Sequence, residues 1–95
     1  MRVLVRRENG WCQDLQGRDQ ITGSISLPKT SSPEDCLSAC QNQGDARGCE
    51  YHKDGNCAFH TNLVGSGSGD QDYVCWILGS GNISNHLSKF VLYYR

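Results

Sequence analysis

Six cysteines, at positions 12, 36, 40, 49, 57 and 75, and three histidines, at 52, 60 and 86, are the residues best suited to chemistry in this chain. Cys49-x-x-His52 and Cys57-x-x-His60 have ligand types and spacing that zinc accepts. An even set of six cysteines equally suits a disulfide framework, for which spacing alone leaves 15 connectivities open. Asp54-Gly55 separates two strand-like runs and predicts a hairpin with a two-residue loop. That loop sets Lys53 opposite Asn56, His52 opposite Cys57 and Cys49 opposite His60. Strand alternation then puts Cys49 and His60 on one face, and His52 and Cys57 on the other. Four ligands divided between two faces cannot converge on one ion. The expectation is therefore no metal, a disulfide framework and an oxidising compartment, extracellular, periplasmic or lumenal.

Other reactive patterns are sparse. Histidines, serines and aspartates are present, but no nucleophile elbow or other catalytic signature joins them, and six paired cysteines leave no thiolate nucleophile. Neither an enzyme nor a cofactor is expected. Asp70-x-Asp72 follows the run Gly65-Ser-Gly-Ser-Gly69, yet no EF-hand spacing follows it, so a solvated loop is expected there and not a calcium site. If Cys57 faces inward, Phe59 and His52 do so too, and Tyr51, Lys53 and His60 line the outer sheet face as ligand-contact residues. The 65–72 loop, with Asp70 and Asp72, forms a flexible edge to that surface. Asn82-Ile-Ser84 is an acceptor for N-glycosylation.

The elements that must position these residues are legible in outline. Val3 and Val5 mark a strand over residues 2–7; Ile21, Gly23, Ile25 and Leu27 mark a second, ended by Pro28. Ser32 as N-cap, Pro33 at the first helical position and Glu34 and Asp35 in the first turn predict a helix over 33–43, stopped by Gly44. Cys36 and Cys40 fall one turn apart on it, poor partners for each other but well placed to staple one helix face to a sheet. Further strands are expected at 73–77 and 88–95, with a turn at 79–82. The sum is an α+β fold: residues 1–95 as one small disulfide-rich domain, with one helix on a mostly antiparallel sheet.

Composition agrees with that reading. Leu, Ile, Val and Phe make up about a fifth of the 95 residues, so the core is thin and cross-links are the expected remedy. Nine basic against ten acidic residues give a net charge of −1, which provides no electrostatic footprint for nucleic acid or an anionic membrane. No apolar run approaches the roughly 20 residues of a membrane span. The opening, Met1–Arg7, is too short for a signal peptide, so a secreted protein would correspond here to a mature form or fragment.

The order of motifs resembles a known family. Gly10-Trp-Cys12 leads to the helix with Cys36-x3-Cys40, then to Gly48-Cys-Glu-Tyr51, Cys57-Ala-Phe-His-Thr61 and Tyr73-Val-Cys-Trp76. Over about residues 10–78 this is similar to the PAN/apple domain family, a six-cysteine extracellular module. The resemblance implies an antiparallel sheet crossed by one helix and the pairs Cys12–Cys75, Cys36–Cys57 and Cys40–Cys49. Cys12–Cys75 would close about 64 residues, worth roughly 4 kcal/mol in the chain-entropy model. Trp11 and Trp76, beside those two cysteines, are expected to pack around that bridge. A strict two-residue hairpin would put Cys49 and Cys57 on opposite faces although both must reach the helix; placing Cys49 at the strand's first residue would relieve this. The function implied is an extracellular adhesion module binding glycans or matrix proteins, within a multidomain or multimeric assembly. A self-associating structural subunit and a secreted inhibitor of a host protein are the alternatives.

Overall fold

Ser32 opens the helix as the sequence predicts: its Oγ accepts the Asp35 backbone N–H at 3.1 Å, and Pro33 occupies the first turn. The helix, α1 (Pro33–Gln41), ends two residues earlier than expected. The Gln43 N–H turns to the Cys40 carbonyl (2.9 Å) and the Ala46 N–H to that of Gln43 (3.2 Å), so tight turns take the chain away before Gly44. The computed structural model describes residues 2–19, 23–79 and 91–94. Its strands are β1 (Arg2–Asn9), β2 (Cys12–Gln13), β3 (Ser24–Leu27), β4 (Gly48–His52), β5 (Cys57–His60), β6 (Ser66–Gly67), β7 (Tyr73–Gly79) and β8 (Val91–Tyr94). Six form one sheet in the order β3-β5-β4-β7-β1-β8, with antiparallel pairings throughout, and β2 with β6 forms a separate ribbon. One helix on an antiparallel sheet with three disulfides is a small α+β domain. Ile21, His86 and the glycosylation triplet at Asn82 lie outside the described residues.

The hairpin corrects the expected register by one residue. Tyr51 stands opposite Cys57, Glu50 opposite Ala58, Cys49 opposite Phe59 and Gly48 opposite His60. The loop has three residues, not two: the His52 N–H donates to the Asn56 carbonyl (2.9 Å), and the Gly55 N–H to that of His52 (2.8 Å). Gly55 supplies the left-handed residue such a loop needs, with φ +103°, and the Asp54 carboxylate accepts the Asn56 N–H at 3.0 Å. A shift of one residue exchanges the faces of a strand relative to its partner. Cys49, Tyr51, Cys57 and Phe59 therefore all face α1, with Cys49 in the regular ladder, while Glu50, His52, Ala58 and His60 share the opposite face.

The helix-side face carries the main core. Val5, Cys49, Tyr51, Cys57, Phe59 and Trp76 are buried there against Cys36, Leu37 and Cys40 of α1. Cys36–Cys57 and Cys40–Cys49 tie the helix to both strands of the hairpin, with Cα–Cα separations of 5.6 and 5.9 Å. The third bridge, Cys12–Cys75, lies on the opposite face and ties β2 to β7. These are the three expected pairs, and no described cysteine is free. Trp76 does not pack around Cys12–Cys75, contrary to expectation. Alternation along β7 sends it to the helix side, where it is 2% exposed, while Cys75 points the other way.

The Gly-Ser run is also not the flexible loop its composition suggests. Ser66 and Gly67 pair with Gln13 and Cys12. The Gly67 N–H donates to Glu8 Oε1 (2.7 Å), the Ser68 N–H to the Trp11 carbonyl (2.9 Å) and the Gly69 N–H to the Asn9 carbonyl (2.9 Å). A Cβ at Gly67 would strike the Asn9 carbonyl oxygen, so the glycine is there for close backbone approach and not for freedom. This ribbon, with Val64 and Ile77, covers Cys12–Cys75 and part of the sheet face away from the helix.

Candidate functional site

Where the ribbon stops, the remainder of that face is open. Alternation supplies its floor: Ser24 and Ser26 from β3, Ala58 and His60 from β5, Glu50 and His52 from β4, and Tyr73 from β7. Two adjoining hollows of about 360 and 370 Å³ share Ser24, Glu50 and Tyr73 and together form a groove. Trp11, Cys12, Asp19 and His60 line the first; Ser26, His52, Asn56 and Ala58 line the second.

The wall is aromatic and braced. Trp11 meets Tyr73 edge to face, with ring centroids 5.4 Å apart and planes at 89°, and the His52 ring is tilted against Tyr73 with centroids 4.4 Å apart. The Trp11 indole N–H donates to Asp19 Oδ1 at 2.8 Å, and the Gln13 amide donates to the same oxygen at 2.8 Å. Those bonds, the indole's first, hold the Asp19 carboxyl below the usual aspartate range. Glu50 Oε1 accepts the Cys12 backbone N–H at 2.8 Å and lies 3.3 Å from His60 Nε2. His60 Nδ1 is buried and has no hydrogen-bond partner among the described residues.

The residues named from the sequence as one outer patch separate into three places. Tyr51 is 8% exposed and sits under α1, because the register shift turned it inward. Lys53 is at the hairpin tip, where its ammonium lies 3.3 Å from Asp72 and its N–H donates to the Asp72 carbonyl at 2.9 Å. Asp70 and Asp72 form a turn in which Asp70 Oδ1 accepts the Asp72 N–H at 2.8 Å. His60 alone reaches the groove, as a floor residue 4% exposed and not as a surface contact. His52, expected inward, faces the groove.

Trp11, Tyr73, Glu50 and Asp19 were missed as groove residues. The signal for Tyr73 was present: two residues before Cys75 in a strand, it must share the face of the Cys12–Cys75 bridge. The others depend on the fold of residues distant in sequence. Comparison with family models, curated proteins and solved structures found no match.

Chemically, the groove combines fixed carboxylates with aromatic surface. Cys12, Glu50 and His60 bring ligand atoms within 4.8 Å of one another, yet the Cys12 sulfur is bonded to Cys75 and has no thiolate to give a metal. The Cys-x-x-His pairs stay divided in the observed register: both sulfurs are in bridges on the helix side, and both imidazoles are on the groove side. Three disulfides are consistent with an oxidising, extracellular setting, and among the described residues no helix is long and apolar enough to cross a membrane.

Proposed function

We propose that the chain is a secreted, non-catalytic recognition module of the PAN/apple type, which binds a glycan or a protein through the open face of its sheet. The groove walled by Trp11 and Tyr73 carries this reading. Aromatic surface beside a few fixed polar groups is the usual make-up of a site that grips and orients a ligand. The motif order and the three disulfide pairs support the family resemblance. One shallow groove binds weakly, so adhesion would draw on several copies in a multidomain or multimeric parent.

The test is an array of glycans and matrix proteins probed with the wild type, Trp11→Ala, Tyr73→Ala and Lys53→Ala. Signal should fall at least about tenfold for the two groove variants, a loss of about 1.4 kcal/mol, and persist for Lys53→Ala. Signal that survives both groove substitutions sinks the assignment. One observation favours a second reading, self-association into a matrix: β3 is an edge strand of the sheet, and its Ile25 is 45% exposed. Sedimentation velocity over a concentration series separates the two, since a recognition module stays monomeric and a structural subunit does not.

A further inference from the structure

We propose that the groove takes a cationic side chain of a protein partner, a lysine ammonium or an arginine guanidinium, against the carboxylates of Asp19 and Glu50 and the Trp11–Tyr73 wall. This rests on the groove being the recognition site and names the chemistry it selects. The argument begins with charge. Three other carboxylates have a lysine or arginine beside them: Glu8 has Arg6 at 3.0 Å, Asp14 has Arg18 at 3.0 Å and Asp72 has Lys53 at 3.3 Å. Asp19 and Glu50 have no lysine or arginine beside them among the described residues; the basic neighbour of Glu50 is the His60 imidazole, at 3.3 Å. Among the described residues, no lysine or arginine lines either hollow.

The donors that hold these two carboxylates are an indole, an amide, a backbone N–H and an imidazole, and all of them act on Asp19 Oδ1 or Glu50 Oε1. The indole, the amide and the backbone N–H orient a carboxylate without neutralising it. Each acid is thus fixed through one of its two oxygens. Trp11 and Tyr73 beside them supply π-faces that attract a cation and apolar area for its aliphatic or planar stem. His60 lines the same hollow, is 4% exposed, and has its Nδ1 without a hydrogen-bond partner among the described residues. An anionic glycan would be repelled. A neutral sugar would find hydrogen-bond acceptors but leave the charge of both carboxylates unused.

Titration calorimetry on the intact oxidised chain decides the matter, with Nα-acetyl-lysine N-methylamide and its arginine counterpart as probes. The neutral isostere Nα-acetyl-norleucine N-methylamide is the control, beside a neutral and a sulfated oligosaccharide. The cationic probes should bind at least about tenfold tighter than norleucine and weaken as salt rises. Glu50→Gln and Asp19→Asn keep an acceptor for the Cys12 and Trp11 N–H groups while removing the charge. Each should lower cation affinity about fivefold with melting unchanged, and Trp11→Ala should lower it further. Cationic probes no better than norleucine, or no cation binding at high millimolar concentration, overturn the proposal. If a neutral oligosaccharide then binds and depends on Trp11, the groove reading survives without it. Cation binding that ignores Glu50→Gln, Asp19→Asn and Trp11→Ala alike overturns both.

Discussion

The two faces of one sheet are built on opposite terms. Toward α1, β4 and β5 present Cys49, Tyr51, Cys57 and Phe59, and β7 adds Trp76, all buried and apolar, with two disulfides across the layer. Away from α1 the same strands present Glu50, His52, His60 and Tyr73, with one disulfide and a short ribbon covering only part of the surface. The first face can be satisfied only by exclusion of water. The second keeps its polar groups in fixed hydrogen bonds with room beside them. A thin domain thus separates its packed core from its open groove by the parity of a strand.

Reduction is the strongest way to break that division. Removing all three bridges should unfold the domain cooperatively at room temperature, since the longest alone is worth roughly 4 kcal/mol and small domains hold only about 5–15 kcal/mol in total. Circular dichroism with and without reductant reads this; an unchanged melt would mean that the helix-side core suffices by itself. Next in size are the two tryptophans. Trp76→Ala on the helix side should cost about 3–5 kcal/mol in denaturant unfolding, whereas Trp11→Ala on the groove side should cost about 1 kcal/mol and act on binding. Equal costs would erase the distinction between the faces.

Gly67→Ala probes the ribbon that limits the groove. Its Cβ would strike the Asn9 carbonyl oxygen and lie 3.0 Å from the Glu8 Cβ, so a loss of about 1–3 kcal/mol is expected, with faster hydrogen exchange at the Gly67 and Ser68 amides. Neutral stability would restore the flexible loop that the Gly-Ser composition suggests.

The smallest effect concerns Asp19. The indole N–H of Trp11, and then the Gln13 amide, lower its folded pKa below the ordinary 3.8. A lowered folded value makes the contact's contribution complete above the ordinary pKa and lost as pH falls through the folded one. The Trp11 indole N–H resonance should therefore shift on acidification with a midpoint below 3.8. A midpoint at or above that value would mean the wall is not braced by Asp19.

Local chemistry determined a good part of this molecule in advance. Ser32, Pro33 and Asp35 fix where the helix begins, because a cap and a proline act within one turn. The four-residue spacing of Cys36 and Cys40 decides that both meet the same neighbour, and alternation about Cys75 sends Tyr73 to the bridge's face. Asp54-Gly55 marks the turn, but two- and three-residue loops both accept Gly at that point. The choice between them reverses which of Tyr51 and His52 is buried. Packing made the choice: the three-residue loop lets Cys49 and Cys57 reach α1 together with Phe59 and Tyr51. The same holds for the Gly-Ser run, whose partners Glu8, Asn9 and Trp11 are more than fifty residues away in sequence. It holds also for the groove, where Trp11, Glu50 and Tyr73 meet only after three separate segments have folded onto one face. Side-chain parity is a local property, whereas register and long-range contact are settled by what the whole chain can bury.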